Sequence, residues 1–130
     1  MDTVQDFEDI LDLFDQHAVR YLIIGGLAFT YHAKPRYTKD IDLWVDSDQK
    51  NVQRVNRALT EFGSPFLRDP GGVEFEQAWP RKVEARYGNA KANWIDIDSL
   101  IAIKSRIDHP RHQNDAEVLR RVRERGGAQG

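Results

Sequence analysis

The run Tyr21-Leu22-Ile23-Ile24, closed by Gly25-Gly26, constrains this chain more than any other segment. Four apolar residues in a row have no polar face to show to water, so they predict a short strand buried on both sides. A strand covered on both faces needs helices above and below it, which selects an α/β (α+β) arrangement, a small mixed sheet flanked by helices. The glycine pair ends the strand. Leu27 to Ala33 then predicts a helix of about two turns, and Pro35 closes it by disfavouring helix at Lys34.

A second strand is predicted over Asp40 to Val45. Strand alternation sends Ile41, Leu43 and Val45 one way and Asp40, Asp42 and Trp44 the other. The two carboxylates then share a face with Cα atoms about 6.6–6.8 Å apart, close enough to converge on one hard cation. Magnesium takes one or two carboxylates, keeps several waters and accepts substrate phosphate oxygens. The glycine pair supplies the complementary half. Without Cβ atoms the backbone approaches an anion closely, and the helix that follows offers unpaired N–H groups to phosphate. Arg36, Thr38 and Lys39 add donors on the loop between the two features.

The remaining segments read as scaffold. Thr3, with Asp6 three residues on, predicts a helix start, and Phe7, Ile10, Leu11 and Phe14 form one apolar stripe. Ser47 or Asp48 caps a helix with a stripe of Val52, Val55, Leu59 and Phe62, ended by Gly63. Residues 64–81 hold three prolines and two glycines and predict at most a short strand at Val73 to Glu76. Gly88-Asn89 between Lys82–Tyr87 and Ala90–Ile95 is a two-residue hairpin signal. Asp96 predicts the N-cap of a helix to about Ile107, with Asp98 favoured in its first turn. After Pro110 a last helix runs from about Gln113 to Arg123. One domain over residues 1–125 and a frayed tail over 126–130 follow from this order.

Composition narrows the function classes. The chain has 130 residues, no cysteine and a net charge of −2, which removes disulfides and thiolate metal sites and argues against tight nonspecific nucleic-acid binding. No apolar run approaches the roughly 20 residues of a membrane span, and the acidic N-terminus is unlike a signal peptide; the expectation is a cytoplasmic protein. His32, His109 and His112 show no metal-ligand spacing. Arg120, Arg121, Arg123 and Arg125 complement a helix C-terminus or form a basic face for RNA or an acidic partner.

Gly25-Gly26, a gap and then Asp40-Ile41-Asp42 resembles the active-site pattern of the DNA polymerase β-like nucleotidyltransferase superfamily. Tyr21 to Ala28 and Pro35 to Val45 are similar to the small stand-alone bacterial nucleotidyltransferases, whose relatives include toxin- and antitoxin-type domains. The resemblance is strongest over residues 18–63 and returns at Asp96 to Lys104. It implies that Gly25 and Gly26 hold nucleotide phosphates, that Asp40 and Asp42 bind Mg2+ (or Mn2+), that Lys104 reaches phosphate and that Asp115 braces the late helix or the site. The implied activity is transfer of a nucleoside monophosphate from a nucleoside triphosphate to an acceptor hydroxyl. The acceptor is left open among RNA, protein and small molecule. The alternative is a catalytically weak nucleotide-binding domain that acts with a cognate partner protein.

These enzymes carry a third carboxylate on a strand after the helix that follows the Asp-x-Asp pair. Here the interval from Gly63 to Trp79 is short, and it offers Asp69, Glu74 and Glu76. Asp69 precedes Pro70 and reads as a turn residue. Glu74, on the expected strand, is taken as the third catalytic acid beside Asp40 and Asp42.

Overall fold

Burial of Tyr21–Ile24 on both sides determines where the helices lie. In the computed structural model, which describes residues 3–60 and 66–126, this segment is β1, and all four residues are buried. The Thr3 side-chain cap, Phe62, Gly63, Pro65 and the tail from Gly127 to Gly130 lie outside what is described. The helices are α1 (Thr3–Gln16), α2 (Gly25–His32), α3 (Gln49–Leu59), α4 (Phe75–Ala78), α5 (Ile97–Arg106) and α6 (Pro110–Gly126). The other strands are β2 (Asp42–Val45), β3 (Phe66–Leu67), β4 (Val83–Tyr87) and β5 (Ala90–Trp94). Among the described residues they form one mixed sheet in the order β3-β2-β1-β5-β4. β1 runs antiparallel to β2 and parallel to β5.

Alternation along β1 splits the core in two. Tyr21 and Ile23 join Ile41 and Leu43 under the α1 stripe of Phe7, Ile10, Leu11 and Phe14, all buried as the periodicity predicts. Leu22 and Ile24 join Trp44 and Ile95 under α2, α5 and α6. Each of these fully buried large side chains contributes about 1.5–3 kcal/mol. Asp42 shares the Trp44 side of β2, so the carboxylate belongs to the α2/α5/α6 face. The Gly88-Asn89 hairpin and the Asp96 cap also form as expected, Asp96 accepting from the Ser99 N–H at 3.1 Å.

Three expectations need correction. First, β2 begins at Asp42, and Asp40 lies in a bend before it. Strand alternation therefore does not set the relation of the two acids. Second, Asp48 caps α3, but the buried face is Asn51, Val55 and Ala58, while Val52 is exposed. A polar requirement overrides the apolar count. Asn51 accepts from the Arg20 N–H at 2.7 Å and donates to the carbonyls of Arg20 at 3.0 Å and Asp46 at 2.8 Å. Third, Val73 to Glu76 is not a strand; Phe75–Ala78 is one helical turn. Phe75 and Ala78 are both buried, and helical spacing places both against the sheet, where Phe75 packs edge-on to Trp44 with centroids 5.2 Å apart. No helix among the described residues is long and apolar enough to cross a membrane.

Asn51→Ala is expected to leave the Arg20 N–H and the Asp46 carbonyl without their Asn51 partner, while the Arg20 carbonyl keeps the Asp46 N–H at 3.1 Å, and to lower unfolding free energy by about 2–3 kcal/mol. A urea titration beside Val52→Ala, expected to change little because Val52 is exposed, checks this.

Candidate active site

The site begins where β1 stops. Gly25 has φ +71°, a left-handed conformation that side chains other than glycine adopt only with strain. The antiparallel register pairs Ile24 with Asp42, so the Asp42 side chain lies against this turn. A Cβ on Gly25 would collide with Asp42 Oδ2 and come within 3.0 Å of Asp42 Cβ. Gly25 thus admits both the turn and the carboxylate. A Cβ on Gly26 would come 3.1 Å from Thr38 Oγ1, whose hydroxyl donates to the Asp40 carbonyl at 3.0 Å. The two glycines make room for the loop and strand that carry the two acids. The N-cap residue of α2, Ile24, supplies no side-chain acceptor, so the first amides of the helix get no side-chain cap from it.

Two adjoining cavities meet here. One, of about 340 Å³, is lined by Gly25, Gly26, Asp42, Asp69 and Lys104. The other, of about 400 Å³, is lined by Thr38, Lys39 and Asp40. Gly26, Arg36, Asp42, Arg68 and Arg111 line both. The structure therefore gathers Gly25, Gly26, Arg36, Thr38, Lys39, Asp40, Asp42 and Lys104 around one depression. Glu74 is different. It is exposed at the N-terminus of α4 and lines a neighbouring groove of about 460 Å³ that includes neither Asp40 nor Asp42. Its placement rests on the strand that does not form. Glu76 turns away and pairs with Arg20 at 3.4 Å. Asp69 lines both the Asp42 cavity and that groove. One of its oxygens accepts the Gly71 N–H at 2.9 Å, the turn role its place before Pro70 suggested.

The basic groups divide into paired and accessible. Asp115 on α6 is buried and receives Arg36 through two hydrogen bonds, 2.8 and 2.6 Å, and Lys104 through one of 2.8 Å. The Arg36 guanidinium also lies 4.0 Å from the Phe29 ring centroid. Burial would raise the Asp115 carboxyl, but the hydrogen bonds from Arg36 and Lys104 outweigh it and hold the group well below the usual carboxylate range. Burial pushes the Lys104 ammonium down, against the pull of Asp115. Asp115 does brace the site, as the resemblance implied. Lys104 lines the cavity as part of an ion pair with Asp115 rather than as a free donor. The triad holds two cations and one anion, so the wall keeps a positive excess.

Sequence reasoning missed Arg68 and Arg111. Arg68 is exposed, and its guanidinium lies 3.6 Å from Asp42 Oδ1. Its only sequence signal is its place beside Asp69 in the shortened segment; Arg111 carries none. Burial raises the Asp42 carboxyl and Asp40 adds to the rise, while Arg68 and Lys104 oppose it. His32 packs structurally, its Nε2 2.6 Å from the Ile95 carbonyl. The C-terminal arginines are largely engaged within the chain: Arg120 with Ser105, Arg121 with Glu117 and Arg123 with Asp98.

No group of three His, Cys, Asp or Glu side chains is gathered for a metal among the described residues. Asp40 and Asp42 line one cavity and supply hard carboxylate oxygens, the donor type a divalent cation takes together with phosphate and water. Residues 6–118 match the family model of aminoglycoside-2''-adenylyltransferase. The chain belongs to that family. It is a nucleotidyltransferase family, in agreement with the resemblance carried by Gly25-Gly26 and Asp40-Ile41-Asp42. No curated protein matches the chain. In this family member backbone register seats Asp42 on the glycine turn, and a clamp formed by Arg36, Asp115 and Lys104 holds the loop that leads to Asp40.

Two outcomes follow. Gly25→Ala must accommodate a left-handed alanine, about 1–2 kcal/mol, and the Asp42 collision, about 1–3 kcal/mol. Calorimetric unfolding should show a lower Tm, and Gly26→Ala, with a contact that Thr38 can relieve, a smaller change. Because Asp115 is depressed in the folded state, its stabilising contribution is complete above about pH 4 and is lost as pH falls further. Urea midpoints should drop below about pH 4. Asp115→Asn should flatten that dependence and, by leaving two cations uncompensated, cost about 3–5 kcal/mol at neutral pH.

Proposed function

We propose that this protein is a magnesium-dependent nucleotidyltransferase that moves a nucleoside monophosphate from a nucleoside triphosphate to an acceptor hydroxyl. The observation that carries the reading is the seat of Asp42 on the Gly25 turn, with Asp40 in the adjoining lobe and basic groups around both. The glycine turn and the first amides of α2 receive phosphate oxygens. Arg68, Arg111 and Lys39 add charge from the rim. Magnesium, when bound, would be held by Asp40 and Asp42 and would neutralise the phosphate charge that grows during transfer.

The acceptor oxygen attacks the α-phosphorus, a new P–O bond forms, and the bond to the β-phosphate bridging oxygen breaks in line. Pyrophosphate leaves with that electron pair. The hydroxyl proton passes to a carboxylate or to solvent. Asp69 is the acid placed to take it, because it lines the Asp42 cavity and Glu74 does not. Most of the rate enhancement is positioning and charge stabilisation. The family model is named for an aminoglycoside acceptor and adenylyl transfer, so ATP is the first donor to assay; the acceptor stays open among RNA, protein and small molecule.

A second reading rests on Arg68. A guanidinium 3.6 Å from Asp42 Oδ1 competes with a metal for that carboxylate, and among the described residues no three acids are gathered closely enough to hold one. The chain would then bind nucleotide with little turnover and act through a cognate partner protein.

Pyrophosphate release from ATP and magnesium, assayed with a panel of acceptors, separates the two. The enzyme reading expects Asp42→Asn to lower turnover by at least about 100-fold. Asp69→Asn should cost more than Glu74→Gln. Nucleotide binding by calorimetry without pyrophosphate from any acceptor supports the second reading. Arg68→Ala adds a distinction: nucleotide affinity should fall roughly tenfold, while Mn2+ affinity without nucleotide should rise, because a competing cation is gone.

A further inference from the structure

Among the described residues, the end of the sheet away from the site presents a strand edge with no pairing partner. β4 is the last strand of the order β3-β2-β1-β5-β4, and α1 covers one face of it, Phe7 packing on Tyr87 with ring centroids 6.0 Å apart, rather than its outer edge. Its residues alternate: Val83, Ala85 and Tyr87 are partly buried and face the α1 side, while Glu84 and Arg86 are exposed on the other face. An open edge with partly covered apolar residues is a template for another strand.

The charges on this strand specify which strand fits. Glu84 and Arg86 are opposite in sign and flank Ala85. If two copies of β4 pair antiparallel about Ala85, Glu84 of each lies opposite Arg86 of the other, and Val83 lies opposite Tyr87 on the apolar side. Sliding the pair by two residues either way places Glu84 against Glu84 or Arg86 against Arg86, which is unfavourable. A one-residue slip sends apolar side chains to the charged face. One register satisfies both faces.

The hairpin gives an independent reason. Arg86 lies directly opposite Lys91 of β5, a like-charge cross-strand pair. Arg86 also donates to the Asn89 carbonyl at 2.9 Å, and Glu84 has Lys82 at 3.6 Å. In the paired arrangement a second Glu84 would sit on the free side of Arg86 and offset Lys91. We propose that the β4 edge docks a second copy of this chain, joining two sheets into one across a two-fold axis at Ala85. One five-residue edge buries less than the roughly 1,000 Å² of a stable interface, so the dimer dissociates on dilution. The proposal does not depend on the nucleotidyl reading.

Sedimentation equilibrium of the full chain across a wide concentration range tests it. The expected result is a mass that doubles as concentration rises. Glu84→Arg alone and Arg86→Glu alone should each abolish the doubling, and the double reversal should restore it. In the unaltered chain, hydrogen exchange at the β4 amides should slow with concentration while those of β3 do not. A monomer throughout, single reversals that dimerise as well as the unaltered chain, no restoration in the double variant, or concentration-independent exchange at β4 would overturn it.

Discussion

The contact between the Asp42 carboxylate and the Gly25 backbone is the constraint from which the candidate site follows. It joins two local necessities. The apolar strand must end in a sharp left-handed turn for α2 to fold back over the sheet, and β2 must pair antiparallel with that strand from its first residue. Together they bring a half-buried carboxylate against a backbone with no Cβ. Any side chain at Gly25 would push the acid away or break the register. A helix N-terminus and an acid come together for reasons of chain geometry before any ligand is considered.

Electrostatics completes what geometry begins. The buried Asp115 carboxylate ties Arg36, on the loop that leads to Asp40, to Lys104 on α5. Buried ion pairs are weak sources of net stability but strong sources of specific arrangement when each charge is matched. Here the match joins α5, α6 and the loop after α2, and it leaves a positive excess beside two acids. That polarity suits a phosphate–metal complex: cations for the phosphates, carboxylates for the metal. Arg68 stands at the boundary between the two halves.

Much of this was legible in the sequence, and the exceptions have physical causes. The buried β1 run, the α1 stripe, the hairpin and the Asp96 cap are local patterns, and each formed. The α3 face was misjudged because Asn51 earns its place by satisfying backbone groups of Arg20 and Asp46, a demand that apolar periodicity does not register. The segment from Val73 to Glu76 alternates like a strand, yet Phe75 and Ala78 are buried together by a helical turn, so tertiary packing overrode a short pattern. That error carried Glu74 into the list of acids, although it lines a groove that includes neither Asp40 nor Asp42. The pairing of Arg36 with Asp115 spans 79 positions, and local spacing is silent about it; only the resemblance hinted at a bracing role for Asp115.

The central claim is that phosphate and a divalent cation meet at the Gly25–Asp42 contact. Paramagnetic broadening of the amide spectrum by Mn2+ with a non-hydrolysable nucleoside triphosphate measures this directly. The account predicts that broadening centres on Gly25, Gly26, Asp40 and Asp42, falls away toward β4 and is lost in Asp42→Asn. Broadening centred on another part of the surface, or unchanged by that substitution, would contradict it.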